Sequence, residues 1–271
     1  MKLKPLALAC LLFSIIALPA LLRALPGAAE DAAPPKGGEK AETVKKEEAA
    51  DPSVGGLPGD PKATGTITGV ITLDGKAPEL KPIPVAAENK DRPICGGEIP
   101  NERLILGPGN VVQNAVVSLA KVPGAPKPAN RTLKLDNSHC RFVPHVQAAT
   151  VGSSLKITSQ DGILHSAMGL LTNTFNLAVS NPDQVVVTPL RKAGWVPIKC
   201  SVHTWMEAHI WVFPHDFFAV TGKDGKFRLT GVPPGKYELV VWQEALADYK
   251  REVTVEAGKT AEVSVALKTP E

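Results

Sequence analysis

Beyond residue 64 the chain alternates β-branched and polar residues over short spans and breaks repeatedly at glycine and proline. T-I-T-G-V-I-T-L over 66–73 runs into the turn pair Asp74–Gly75, and V-V-Q-N-A-V-V-S-L-A over 111–120 predicts another apolar strand. A Pro/Gly-rich connection, V-P-G-A-P-K-P, follows at 122–128. Further strands are predicted near 142–150, 154–159, 184–188, 195–200 and 208–213. The end of the chain is more regular: F-F-A-V-T at 217–221, F-R-L-T at 227–230, Y-E-L-V-V-W at 237–242, then R-E-V-T-V-E and A-E-V-S-V-A-L. Between them K-D-G-K, G-V-P-P-G and A-G-K-T supply turns, where proline fixes φ and glycine reaches positive φ. No stretch sustains a 3.6-residue period, so the pattern predicts an all-β fold.

The first 63 residues read differently. Lys2 and Lys4 precede an apolar run from Leu6 to Leu22, broken by Pro19, and the small residues P-G-A-A follow at 26–29. This is the layout of a secretory signal over 1–29, so an exported protein, periplasmic or extracellular, is expected. A signal left uncleaved would instead tether the chain to the membrane; at 17 residues with a proline the run is at the short limit for spanning. Residues 30–62 are dense in Lys and Glu, with only Val44, Val54 and Leu57 as bulky apolar groups. They read as a disordered linker, unable to bury enough surface to offset ordering entropy.

Composition adds two constraints. The formal charge is +3 with 44% hydrophobic residues. Loss of 1–29 would remove Lys2, Lys4 and Arg23 and no acid, which leaves bases and acids even. No clustered basic footprint points to nucleic acid. The scarce metal-capable side chains are gathered together. All six His lie between His139 and His215, with Cys140, Cys200, Met168 and Met206 in the same interval.

The sharpest motif is C-S-V-H-T-W-M at 200–206, which offers Cys200, His203 and Met206, with His165 35 residues upstream of Cys200. One thiolate, two imidazoles and one thioether suit copper. A Cys/His/His plane with a weak axial Met is the donor set of a blue-copper electron-transfer site. Zinc is the alternative metal, though it seldom takes Met. A purely packing role for Cys200 and Met206 is the other alternative, since both residue types are common in cores. With no second Cys in the ligand loop, a single mononuclear type 1 copper is expected. In an exported chain Cys95 and Cys140 are the natural disulfide pair. Cys140 with His139 and His145 as a second metal site is the competing reading. Met168 reads as packing, and His209 and His215 as surface or loop residues. Trp205, between two ligands, is expected to shield the metal and to form part of a docking patch.

Two resemblances extend these readings. F-V-P-H-V-Q-A-A-T-V-G-S-S-L-K-I-T-S-Q-D at 142–161 followed by His165, and A-G-W-V-P-I-K-C-S-V-H-T-W-M-E-A-H-I-W-V at 193–212, together resemble the cupredoxins. The C-x2-H-x2-M spacing is most similar to that of amicyanin, with plastocyanin and pseudoazurin close in plan. One departure stands out: Ser166 follows the first His, where cupredoxins commonly carry Asn. A-V-T-G-K-D-G-K-F-R-L-T-G-V-P-P-G-K-Y-E-L-V-V, with G-V-I-T-L-D-G-K-A-P at 69–78 and N-A-V-V-S-L-A at 114–120, resembles the carboxypeptidase-regulatory-like (transthyretin-like) β-sandwich family. The resemblances imply a cupredoxin-like Greek-key sandwich over 129–215, inserted in or packed beside a second sandwich built from 64–128 and 216–271. They imply an electron carrier rather than an enzyme, because multicopper oxidases and copper nitrite reductases use H-x-H pairs and none is present. Its partner would be a redox protein such as a c-type cytochrome or a dehydrogenase. The competing functions are a copper-delivery protein and a structural module without redox turnover.

Overall fold

The computed structural model describes residues 51–270. The expected signal at 1–29 and residues 30–50 of the expected linker lie outside them. The described chain is almost wholly strand and turn, and its one α-helical turn is Arg92–Cys95.

Four principal sheets stack as two sandwiches. One sandwich pairs a sheet ordered Val54–Gly56, Lys226–Val232, Gly65–Leu73, Thr260–Leu267 with a sheet ordered Phe218–Val220, Val116–Leu119, Gly235–Trp242, Tyr249–Val255. Strands from before residue 120 therefore lie hydrogen-bonded between strands from after residue 217. Thr260–Leu267 shows why: its burial alternates strictly, with Val263, Val265 and Leu267 inward, as a strand with one solvated face must. The core between the two sheets holds Ile67, Ile71, Val117, Leu229 and Leu239, all fully buried. Each such side chain contributes about 1.5–3 kcal/mol relative to exposure.

The other sandwich pairs a five-stranded sheet with a four-stranded one. The first is ordered Val146–Thr150, Glu207–Phe213, Gly194–Cys200, His165–Gly169, Phe175–Val179. The second is ordered Val186–Pro189, Ser154–Ser159, Thr132–Asn137, Phe142–Val143. Parallel pairing of Val146–Thr150 with Glu207–Phe213, and of Ser154–Ser159 with Thr132–Asn137, sits within otherwise antiparallel sheets. Leu135, Phe142, Leu155, Ile157, Ile198 and Ile210 fill the interior. A small cluster of Val116, Val146 and Val220, backed by Trp211, Phe213 and Trp242, joins the two sandwiches.

The strands His165–Gly169 and Phe175–Val179 were not predicted. Three further details differ from the sequence reading. The strand expected over 111–120 is split by Asn114, whose φ of +63° turns the backbone between Val112–Gln113 and Val116–Leu119. The strand Thr132–Asn137 was not predicted, although T-L-K-L alternates in sequence and in burial; the signal stops after Leu135, where Asp136 and Asn137 are both polar and both buried. The linker expected to run to residue 62 gives way to ordered structure from Asp51. Val54–Gly56 pairs parallel with Arg228–Thr230, and the Arg228 and Val220 amides donate to the carbonyls of Ser53 and Pro52. Gly55 permits this approach, since a Cβ there would meet the Phe218 carbonyl oxygen at 1.6 Å.

Candidate metal centre

Cys200 ends the strand Gly194–Cys200, and the chain returns antiparallel along Glu207–Phe213. The loop between them is closed by its own backbone: the Met206 N–H donates to the His203 carbonyl at 3.0 Å, and the Cys200 N–H to the Met206 carbonyl at 3.2 Å. On the neighbouring strand Ala167 lies opposite Cys200. His165, two residues back and hence on the same face, comes over the ligand loop.

The result is a compact buried cluster. The donor atoms of His165, Cys200 and His203 lie within 4.8 Å of one another. The two Nδ1 atoms face each other at 3.1 Å, and His203 Nδ1 is 4.0 Å from Cys200 Sγ. The three side chains are at most 3% exposed, and Met206 is buried with them.

The outer nitrogen of each imidazole is held by a carboxylate. His165 Nε2 donates to Asp161 Oδ2 at 2.9 Å, and His203 Nε2 to Asp91 Oδ2 at 3.1 Å. Carboxylates only accept, so the Nε2 atoms carry the protons and the Nδ1 lone pairs point at one another. Asp161 is itself gripped. His139 and Cys140 adopt φ of +50° and +55°, which aims both their N–H groups at its carboxylate, at 2.8 and 2.9 Å. Successive N–H groups in such a turn form an anion-binding concavity. Asp91 immediately precedes the helical turn Arg92–Cys95. A Cys95–Cys140 disulfide joins that turn to the Asp161 cradle. Trp205 donates its indole N–H to the Cys140 carbonyl at 3.1 Å, with its ring 5.1 Å from His203.

Cys200 is set up as a thiolate. Burial pushes its thiol up, but His165, His203 and the backbone N–H groups of Ser166 (3.4 Å) and His203 (3.3 Å) bring it down to about 5. For His203, burial works to lower the imidazole, and Cys200 and Asp91 outweigh it, so the net shift is upward. Ser166 serves the sulfur through its backbone, while its hydroxyl turns away to Asn176 Oδ1 at 2.6 Å.

These donors fit a soft or borderline metal ion. Metal–nitrogen and metal–sulfur bonds of about 2.0–2.3 Å easily bridge the observed separations. With both rings neutral, the two buried Nδ1 lone pairs face each other at 3.1 Å beside the thiolate, an arrangement that a proton or a metal cation between them relieves.

Other expectations are corrected. His209 and His215 are not surface residues; they are 7% and 4% exposed, carried inward on and just after an inner strand. His139 is exposed and Cys140 is consumed by the disulfide, so those two and His145 form no second centre. Trp205 is half-buried and pinned, while Leu164 and Val202, beside the two His ligand candidates, are 48% and 38% exposed. Asp91 and Asp161 were missed. Asp161 stands four residues before His165, a spacing that is informative only once the turn is seen, and nothing near Asp91 marks it.

Residues 206–268 match the carboxypeptidase regulatory-like domain family. The match begins inside the ligand loop and includes the strand Glu207–Phe213 of the five-stranded sheet. No curated protein matches the chain. Solved structures similar over part of the chain include a Cu-containing nitrite reductase (NirK) from Thermus scotoductus SA-01, with 18% identity and a TM-score of 0.28 over 35% of this chain. The chain spans only 25% of that protein. A purple cupredoxin from Nitrosopumilus maritimus has 16% identity and a TM-score of 0.27, covering 30% of this chain and 98% of its own. A pseudoazurin from Sinorhizobium has 18% identity and a TM-score of 0.27, covering 31% and 76%. At such TM-scores the reading of the site rests on its own residues.

Proposed function

We propose that this chain is an exported electron-transfer protein holding one type 1 copper through His165, Cys200, His203 and Met206, on a cupredoxin-like sandwich inserted into a regulatory-like one. The observation that carries the proposal is the pair of buried imidazoles whose Nδ1 atoms converge beside a thiolate while carboxylates occupy both Nε2 atoms. A backbone or carboxylate partner on the outer nitrogen is what fixes the tautomer and ring angle of a ligating histidine.

Copper would supply one-electron exchange between its two oxidation states. The chain's own contribution is rigidity and exclusion of water. Asp161 and Asp91 hold the rings, two N–H groups hold the sulfur, and Met206 occupies the buried end of a loop closed by hydrogen bonds. Nothing in this set needs to move when charge changes. The exposed side chains of Leu164 and Val202 give the site an apolar rim. A redox partner such as a c-type cytochrome or a dehydrogenase would dock there, with His203 as the short route for the electron.

The test is a visible spectrum of the Cu(II)-loaded protein. A thiolate-to-copper band is expected that disappears in Cys200→Ser. A colourless protein that takes up only zinc would overturn the reading. Slow electron self-exchange with rapid copper hand-off would instead favour copper delivery.

A further inference from the structure

Where the two sandwiches meet, the structure gathers a second set of donors. His145 precedes the strand Val146–Thr150, His209 lies on Glu207–Phe213, and Glu244 lies just past Gly235–Trp242. All three side chains are at least nine-tenths buried. His145 Nε2 and His209 Nε2 both lie 2.6 Å from the same oxygen, Glu244 Oε2.

The hydrogen bonding is incomplete in an informative way. His145 Nδ1 is 3.0 Å from the Glu207 backbone carbonyl, which can only accept. His145 therefore keeps a proton on Nδ1, and Nε2, which meets Glu244 Oε2, is the nitrogen that would turn to an ion. His209 Nδ1 has no hydrogen-bond partner, and its Nε2, 2.6 Å from Glu244 Oε2, is poorly aligned for a hydrogen bond. A buried ring nitrogen left without a partner costs about 1–3 kcal/mol. We infer that His145, His209 and Glu244 form a second metal site, for a divalent ion of zinc type, separate from the Cys200 centre.

The donor chemistry suits it. Two imidazoles and one carboxylate are a recurrent zinc set with a position left for water. The carbonyl on His145 Nδ1 is the outer partner expected of a ligating histidine. The surroundings are built as well. Trp195 stacks on His209 at 5.7 Å and Trp242 packs edge-on at 5.3 Å, keeping that side dry. Arg103 Nε lies 3.4 Å from the other oxygen, Oε1, and leaves Oε2 free for the ion. Gln243 fixes the turn that carries Glu244, donating to the Arg103 carbonyl and accepting from the Ala245 N–H, each at 2.7 Å. A cavity of 480 Å³ reaches the cluster at His145 and Arg103. A bound ion would fasten the loop after Trp242 to the strand that leaves the Met206 loop.

The inference does not depend on copper at the other centre, and the experiment separates them. Full-length Cys200→Ser protein, stripped of metal, is dialysed against Zn²⁺ and the bound metal counted. One zinc per chain is expected. Adding Glu244→Gln or His209→Gln should weaken binding by more than the roughly 10–100-fold that an outer-shell partner is worth, with the circular dichroism spectrum unchanged. Should those variants not fold, anomalous diffraction from zinc-loaded wild-type crystals should place an ion bonded to both Nε2 atoms. No zinc uptake by Cys200→Ser, uptake indifferent to both substitutions, or no anomalous peak at these residues would each overturn the inference and leave a purely ionic His–Glu–His contact.

Discussion

Removing the Cys95–Cys140 disulfide tests how the candidate centre is held together. The bond closes a loop with a sequence separation of 45. By the loop-entropy relation, cross-linking a span of that length costs the unfolded chain about 4 kcal/mol of freedom at 25 °C. The double variant Cys95→Ala/Cys140→Ala gives that back to the unfolded state. Both sulfurs are buried, so the vacated space adds to the loss. Guanidinium unfolding of metal-free wild type and variant should differ by about 4 kcal/mol, and the variant's m-value should rise because its unfolded chain exposes more surface. The effect should reach the metal site too. Cys95 ends the turn that starts at Asp91, and the Cys140 N–H grips Asp161, so both imidazoles lose their outer anchors together. Copper affinity should fall by roughly 10–100-fold. A stability loss below about 1 kcal/mol with an unchanged m-value would refute the entropic argument. An unchanged copper affinity would refute the mechanical one.

Other predictions concern single positions. Asp161→Asn should keep the fold but weaken copper binding by roughly 10–100-fold through His165, read by competition with a chelator; unaltered binding would show the carboxylate to be a bystander. Gly55→Ala should drive Val54–Gly56 off its sheet edge, and hydrogen exchange should show the Val220 and Arg228 amides losing protection. His215 is saturated as a neutral ring, with Nε2–H donating to the Leu119 carbonyl and Nδ1 accepting from the Phe217 N–H. Burial holds its imidazole below 6.5, with Asp216 opposing more weakly. Its contribution to stability is therefore complete above pH ~6.5 and is lost on acidification at up to about 1.4 kcal/mol per pH unit. Metal-free His215→Gln should show a shallower stability loss between pH 7 and 5 than wild type; parallel curves would remove His215 from the account.

The fold was legible where a strand has one wet face. Thr260–Leu267 alternates in sequence because it alternates in burial. Thr132–Asn137 was only half legible: T-L-K-L alternates in sequence as in burial, but Asp136 and Asn137, both polar, are buried too. Asp136 and Asn137 sit inside because partners exist there: Thr158 donates its hydroxyl to Asp136 at 2.6 Å, and Asn137 donates to the Thr158 carbonyl at 2.7 Å. Polar burial of that kind cuts the alternating pattern short while preserving the strand. The ordering of residues 51–62 was hidden for a different reason. Val54–Gly56 adds to a sheet edge through backbone bonds, which glycine permits and apolar content does not report.

The same distinction separates the visible half of the candidate site from the hidden half. Cys200, His203 and Met206 share one short hairpin-end loop, so their spacing is written into contiguous sequence. Their supports carry no such constraint. Asp91 is 112 residues from His203 and needs only to place one oxygen near Nε2. Glu244 is 99 residues from His145 and meets it through the packing of one sandwich on the other. His209 looked like a surface residue because an isolated imidazole in V-H-T-W-M-E-A-H-I-W-V has no partner nearby in sequence. In the fold that partner, Glu244, comes from just past the strand Gly235–Trp242 of the other sandwich. A histidine on an inner strand, three residues past the Met206 loop, is therefore better read from what the second sandwich brings to it than from its neighbours in the chain.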